Sequence, residues 1–303
     1  MDTQQHFHHP FQHMPDIPEL FKAHGYIADK AISLTTKIAF DLGKPILLEG
    51  EAGVGKTQLA KTLAAILETR LIRLQCYEGL DTSLALSEGN YAKQILAIRL
   101  AESSKSKQTE IETSIFTEDY LFTRPLLQAV RHGGPTPPVL LIDEIDRADE
   151  EFEAYLLELL SDFQVTIPEL GTFEAQVRPI VILTSNRTRE LNDALKRRCL
   201  YLWVDYPSME KEQEIIAQHV PEINADLTRS ISKLVNNLRS IDFFKKPGVA
   251  ESLDWAQALL SLRVDSINSQ ILFDTAGVLL KYKDDIERLK ALDMESLIDY
   301  KKP

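Results

Sequence analysis

Gly50-Glu51-Ala52-Gly53-Val54-Gly55-Lys56-Thr57 satisfies the pattern G-x-x-x-x-G-K-[ST], a spacing suited to wrapping backbone around a polyphosphate. Glycines allow successive N–H groups to turn toward phosphate oxygens, and a helix beginning near Lys56 would direct its positive end at them. In this reading Lys56 reaches the β- and γ-phosphates, Thr57 holds magnesium, and Gln58 continues the binding segment into the helix. A glycine-rich turn could match by chance, but the flanks oppose that. Residues 45–49 form a short apolar run suited to a buried parallel strand, and Leu59, Leu63, Ile66 and Leu67 share one helix face. The chain is therefore expected to bind a nucleoside triphosphate.

A second constellation follows the apolar run Val139–Ile142, which delivers Asp143 and Glu144 at a strand's C-terminal end, the edge where open α/β sheets bind ligands. Asp143 is placed to hold magnesium and Glu144 to polarise an attacking water, two roles that phosphoryl transfer requires. An acidic helix start would account for the pair but not for its occurrence beside a phosphate loop. Beyond the run Ile180–Thr184, Asn186 offers an amide able to hydrogen-bond a γ-phosphate and that water. Lys196-Arg197-Arg198 precedes Cys199 and a further apolar run. Arginine's planar fork suits neutralising a transferring phosphoryl group from outside the pocket, although such a run can also be solvated surface.

Stepping outward, five runs read as strands: Ile46–Glu49, Leu71–Gln75, Val139–Ile142, Ile180–Thr184 and Leu200–Val204. They alternate with helical patterns such as Glu150–Leu160, as expected of a parallel sheet covered by helices on both faces. After Tyr206-Pro207-Ser208 only amphipathic helical patterns follow, among them Glu210–His219, Leu227–Leu238, Leu253–Leu262 and Phe273–Tyr282. The expected organisation is a flexible His-rich tail over 1–17, an α/β nucleotide-binding core over 18–205 and a smaller all-helical lid over 206–303. Val165 and Ile167 alternate before Pro168 and Gly171, a hairpin pattern. Ser103–Thr113 reads as an exposed loop. The tail carries His6, His8, His9 and His13, which could converge on a metal ion, but no carboxylate or second cluster completes such a site.

Composition narrows the functions. Forty-six acidic against 34 basic residues give a formal charge of −12, unfavourable for a phosphate backbone, so nucleic acid is not expected as a partner. Cys76 and Cys199 stand alone, which favours ordinary thiols in a reducing compartment. No apolar run reaches the roughly 18 residues needed to span a bilayer, and a soluble cytoplasmic protein is expected.

Taken together, the phosphate loop, the Asp143-Glu144 pair, Asn186 and the Arg-Arg-Cys run resemble the AAA+ ATPases. Residues 74–80, 142–149, 164–171 and 184–191 are similar to the MoxR branch, especially to CoxD-like accessory ATPases of carbon monoxide dehydrogenase maturation. The resemblance covers roughly residues 20–265 and implies a P-loop AAA+ core, a five-stranded parallel sheet with helices on both faces, followed by the helical lid. It implies ATP and Mg2+ as ligands, Asn186 as the sensor amide, and a homo-oligomeric ring, usually a hexamer. Arg198, which matches the finger position better than Arg197, would then reach the γ-phosphate held by the next subunit. Tyr26 and Ile27 occupy the segment that packs adenine in this family, although both also suit a plain core. Residues 75–90 resemble the branch's insertion in its second helix. A von Willebrand factor A-domain partner and a metalloenzyme client are implied. One departure stands out: residues 247–255 lack the arginine with which many relatives touch the γ-phosphate from the lid, and Lys245 or Lys246 are the candidate substitutes. The implied activity is an ATP-hydrolysing remodeller or chaperone. The competing readings are a nucleotide-controlled scaffold that scarcely hydrolyses, and a DNA-acting relative.

Overall fold

In the computed structural model of the chain, residues 10–12, 16–80, 87–89, 121–167, 171–292 and 297 are described. His6, His8, His9 and His13, the 103–113 segment and, within the 75–90 stretch, residues 81–86 and 90 lie outside them. Among the described residues nine strands occur in chain order: β1 Ile46–Glu49, β2 Leu71–Gln75, β3 Ser87–Gly89, β4 Leu121–Thr123, β5 Val139–Asp143, β6 Gln164–Ile167, β7 Gly171–Glu174, β8 Ile180–Ser185 and β9 Leu200–Trp203. Five of them form one sheet in the order β2-β5-β8-β1-β9, and the β2-β5, β5-β8 and β8-β1 pairings are parallel. These are the five runs expected from the sequence. The central strands β1 and β5 are buried at every residue, whereas edge strand β2 alternates, with Ile72 and Leu74 buried and Arg73 and Gln75 exposed. A strand covered on both faces is built chiefly from apolar residues, here up to the acids Glu49 and Asp143 at the strand ends, which is why the central runs read so plainly.

Eleven α-helices accompany them among the described residues: α1 Ile17–Ala23, α2 Lys30–Leu42, α3 Lys56–Ile66, α4 Pro125–Val130, α5 Glu150–Asp162, α6 Asp193–Arg198, α7 Met209–His219, α8 Ala225–Ser240, α9 Val249–Ser261, α10 Ser269–Leu279 and α11 Lys283–Lys290. Local chemistry fixes several boundaries. Asp149, Asn192, Ser208, Asn224 and Asn268 each accept a backbone N–H of the first turn of α5, α6, α7, α8 and α10 respectively, the ordinary satisfaction of helix-start donors. Strands β6 and β7 pair antiparallel from Gln164 opposite Glu174 to Ile167 opposite Gly171, the hairpin that the Val165/Ile167 alternation predicts; its tip, 168–170, is outside the described residues.

The chain divides into two compact units. One takes residues up to 17, 30–49 and 60–202; the other takes 18–29, 50–59 and 203 onward. The first is built around Leu47, Leu140, Ile142, Leu183, Phe152 and Leu156, contributed by the sheet and α5. Within the segment read as a tail, Phe11 is fully buried and packs against Phe40 with ring centroids 4.6 Å apart. Ile17, at the end of the same segment, is fully buried as well, and the polar composition around Phe11 concealed this anchoring. The second unit is built around Ile231, Val235, Trp255, Leu259, Leu272 and Leu289 from helices α8 to α11. Among the described residues no helix is long and apolar enough to cross a membrane.

Candidate functional site: a phosphate loop and an acidic strand end

The loop that leaves β1 is held in the second unit. Lys56 is buried, and its Nζ donates to the carbonyls of Gly50 and Glu51 at 2.7 Å each, so the loop curls around the ammonium. Val54 is buried beneath the turn, Thr57 is half-buried, and Glu51, Ala52 and Gln58 are exposed. Gly50 is obligatory on space alone, because a Cβ there would lie 2.1 Å from the Val204 carbonyl oxygen. Gly53, at φ +81°, meets Gly248 backbone to backbone: a Cβ on Gly53 would sit 3.0 Å from Gly248 Cα, and one on Gly248 would sit 2.9 Å from both Gly53 Cα and Gly53 O. Val249 N–H donates to Gly53 O at 2.8 Å. The stretch lacking an arginine thus touches the loop through backbone. Lys245 is exposed and Lys246 half-buried; the amides of Phe244 and Lys245 donate to Asp285 at 2.8 and 3.1 Å.

Helix α9 is set in place by buried charge. Arg239 donates to both Glu212 oxygens at 2.7 Å and to the Pro247 carbonyl at 2.8 Å, and its guanidinium lies 4.7 Å over the Tyr206 ring. Ser252 Oγ donates to Glu212 at 2.6 Å. Tyr26 and Ile27, both half-buried, belong to the same unit as the loop. The Tyr26 ring packs 5.6 Å from Phe21, and the neighbouring Gly25 carbonyl pairs with His219 Nε2 at 2.9 Å.

In the first unit, β5 ends on the two carboxylates, and the backbone separates them. Asp143 is buried; its Oδ1 accepts from Thr184 Oγ1 at 2.5 Å, and its Oδ2 accepts from Arg73 Nε and Nη2 at 3.0 and 2.5 Å. Glu144 takes the left-handed conformation, φ 57° and ψ 51°, which costs a residue with a Cβ roughly 1–2 kcal/mol. Its amide is secured by donating to the same Thr184 hydroxyl at 2.9 Å. The Glu144 side chain, about a third exposed, pairs with Arg147 at 2.9 Å.

Asn186 follows β8 at once and is half-buried; its backbone N–H donates to Asp146 Oδ1 at 3.2 Å. Thr188 N and Oγ1 donate to Asp146 Oδ2 at 2.8 and 2.7 Å. Burial alone would push the Asp146 carboxyl up, but the Thr188 hydroxyl, the Thr188 amide and the Asn186 amide together hold it below its ordinary value. Farther along the loop, Arg189 donates to the Ala148 carbonyl and pairs with the fully buried Glu153, which also accepts from Asn192 N at 2.8 Å. Arg197 and Arg198 close α6 and are exposed, with Arg198 Nη1 donating to the Leu157 carbonyl of α5 at 2.8 Å.

Sequence reasoning did not single out Arg73, Asp146, Thr184 or Gly248. A lone cation on an otherwise apolar strand pointed to Arg73; the third acid of the Asp-Glu-x-Asp run pointed to Asp146. Nothing local distinguished Thr184 or Gly248, whose roles depend on distant chain. Burial pushes both thiols up to about 12, Cys76 with added pressure from Asp143, Asp146 and Glu144, and Cys199 against a small opposing pull from Lys44. Both stay protonated near neutrality.

An uncharacterized protein of Staphylococcus haemolyticus is 29% identical over 242 residues, spanning 78% of this chain and 82% of its own. One from Staphylococcus aureus is 28% identical over the same length. Among solved structures, the Thermotoga maritima RuvB Holliday junction branch migration motor is 20% identical, with a TM-score of 0.46 over 88% of this chain and 73% of that one. Residues 46–202, just over half of the chain, match the family described as ATPase family associated with various cellular activities (AAA), and they contain the phosphate loop, the acidic strand end and the Asn186 loop: this chain belongs to the AAA ATPases.

Proposed function

We propose that the chain is a magnesium-dependent, ATP-hydrolysing remodeller of the MoxR type that works as a ring, hexameric by family likeness. The observation that carries the reading is the pair at the end of β5. Asp143 is drawn into the interior by Thr184 and Arg73, while Glu144 is turned outward by its left-handed backbone and leaves its carboxylate partly exposed. Neighbouring carboxylates in such different settings suit different work, one holding a cation and one handling a proton. Asp143 and Thr57 offer the hard oxygens that magnesium prefers, in the small number that suffices when phosphates supply the rest. Bound magnesium would offset phosphate charge. Glu144 would orient and deprotonate the attacking water, and Lys56 and Asn186 would stabilise the transferring group.

In a ring, Arg198 would act on the neighbour's nucleotide after leaving the Leu157 carbonyl. The 50–58 loop with Tyr26 and Ile27 would hold ATP, and the core over 18–205 would work against the lid over 206–303. A von Willebrand factor A-domain partner and a metalloenzyme client, such as a carbon monoxide dehydrogenase-like molybdenum enzyme in the cytoplasm, complete the proposal. The test is steady-state hydrolysis against protein concentration for wild type and Arg198→Ala, with oligomer mass recorded on the same samples. Activity should rise with assembly and collapse in the variant while ATP still binds; concentration-independent activity that survives the substitution refutes the shared site.

The Glu144–Arg147 pair favours a second reading, a nucleotide-controlled scaffold with little turnover, because it neutralises the would-be base. Glu144→Gln separates the two. A remodeller should bind ATP and stall, whereas a scaffold should work unchanged.

A further inference from the structure

Edge strand β2 places Arg73 level with Leu141 of β5 and Gln75 level with Asp143. The Arg73 side chain runs along the strand to Asp143, putting both Nε and Nη2 on a single oxygen, Oδ2, at 3.0 and 2.5 Å. The partners differ in exposure: the Asp143 side chain is 4% accessible and that of Arg73 49%. A carboxylate that deep needs positive charge beside it, and here Arg73 supplies it. Magnesium would bring two positive charges to the same group. Two cations on one buried carboxylate repel each other, and the one already half in water leaves at the lower cost. Gln75 Oε1, 2.5 Å from Arg73 Nη2 and exposed, gives the departing guanidinium an acceptor. Thr184 bonds the other oxygen, Oδ1, at 2.5 Å, an anchor for Asp143 that does not involve the atom Arg73 holds.

We propose that Arg73 is an exchangeable counter-ion of Asp143. It neutralises and aligns the carboxylate when no divalent cation is present and yields when magnesium arrives with nucleotide, so it sets the magnesium concentration at which the chain engages the nucleotide. The proposal rests on reading Asp143 as a magnesium-holding residue. Arg73 is a positioning residue here, not a catalytic one. A purely structural Arg73, pinning β2 to β5, would contribute stability and leave magnesium demand unchanged.

The experiment uses the full chain as wild type, Arg73→Gln and Arg73→Lys, with a fluorescent non-hydrolysable ATP analogue held at fixed concentration while MgCl2 is titrated. Mn2+ binding to the same samples is followed by electron paramagnetic resonance. Removing the competitor should lower the half-saturating Mg2+ about tenfold in Arg73→Gln, the scale of one charge-assisted interaction, and tighten Mn2+ in parallel. Lysine keeps the charge without the two-pronged grip, and Arg73→Lys should shift the half-point the same way by about two- to threefold. Should the glutamine variant fail to fold, the lysine variant decides alone. Half-points unmoved or raised in the variants overturn the exchange while leaving the ATPase reading intact. Failure of wild type to bind the analogue at any Mg2+ removes the ATPase reading and this one with it.

Discussion

Replacing Arg239 by methionine should loosen the helical unit more than any surface change. Arg239 is 5% exposed and Glu212 fully buried, joined by two contacts of 2.7 Å. Methionine occupies a similar volume, so little cavity forms. What remains is a buried carboxylate with Ser252 Oγ at 2.6 Å and Asn236 Nδ2 at 3.4 Å and no cation. Stranding one member of a buried pair costs about 3–5 kcal/mol. The lost bond to the Pro247 carbonyl adds about 1 kcal/mol, and the contact over Tyr206 about 0.5–1 kcal/mol. Such losses overlap, and a net of about 4 kcal/mol is expected. Urea unfolding can be followed through Trp255, which is fully buried and bonded to Thr275 at 2.8 Å, in a Trp203→Phe background that leaves it the sole tryptophan. With a slope near 2 kcal/mol/M, the midpoint should fall by about 2 M. Adding Glu212→Leu should restore most of that loss, because no charge is then left unpaired. A midpoint shift below about 0.5 M, or a double variant no more stable than the single one, would refute the assignment of the pair as the unit's electrostatic anchor.

Gly248→Ala would drive a Cβ to 2.9 Å from the Gly53 backbone, where neither side can yield by rotating a bond. The overpacking should cost about 1–3 kcal/mol, read as five- to hundredfold weaker binding of fluorescent nucleotide with unchanged far-ultraviolet dichroism; wild-type affinity would show that the contact is not kept with nucleotide. Glu144→Gln should retain ATP and lose at least about 10²-fold in turnover, and equal turnover would refute its role as base. Asp146, held below its ordinary value of 3.8, contributes stability that is fully present above that pH and is lost as pH falls through the lower folded value. The stability difference between wild type and Asp146→Asn should therefore be flat above about pH 5 and shrink below about pH 4 in acid-unfolding curves; a difference independent of pH down to 2 would contradict the assigned bonds.

The architecture was legible where one physical demand dominates. A covered central strand and an alternating edge strand each leave a plain pattern, and Ile46–Glu49 and Leu71–Gln75 match their strands to the residue. Strands β5 and β8 run one residue longer than their apolar signal, because Asp143 and Ser185 are polar yet still pair or bury within the sheet. Lid helices α8 and α9 begin earlier than the first apolar residue of their pattern, at Ala225 and Val249, because caps rather than periodicity set a helix start. That Asp143 and Glu144 close a core strand was legible, but the contacts they make were not. Nothing in a linear sequence tells which cation will meet Asp143, since Arg73 lies 70 residues away. The burial of Phe11 and the Gly53–Gly248 approach are of the same kind, single contacts whose partners only the fold brings near.

The residues without assigned chemistry link those that have it. Thr184 bonds Asp143 with its hydroxyl and receives the Glu144 amide, so the two carboxylates share one fixed point on β8. Asp146, two residues beyond Glu144, grips the backbone of Asn186 and Thr188. Glu153 holds Arg189 and Asn192, and Asn192 caps the helix that ends in Arg197 and Arg198. Two buried acids, Asp146 and Glu153, thus tie the Asn186 loop and helix α6 to the segment that follows Glu144 by charge-assisted bonds. The costly left-handed backbone of Glu144 stands at the head of this chain of bonds, kept there by specific contacts such as that of its amide to Thr184.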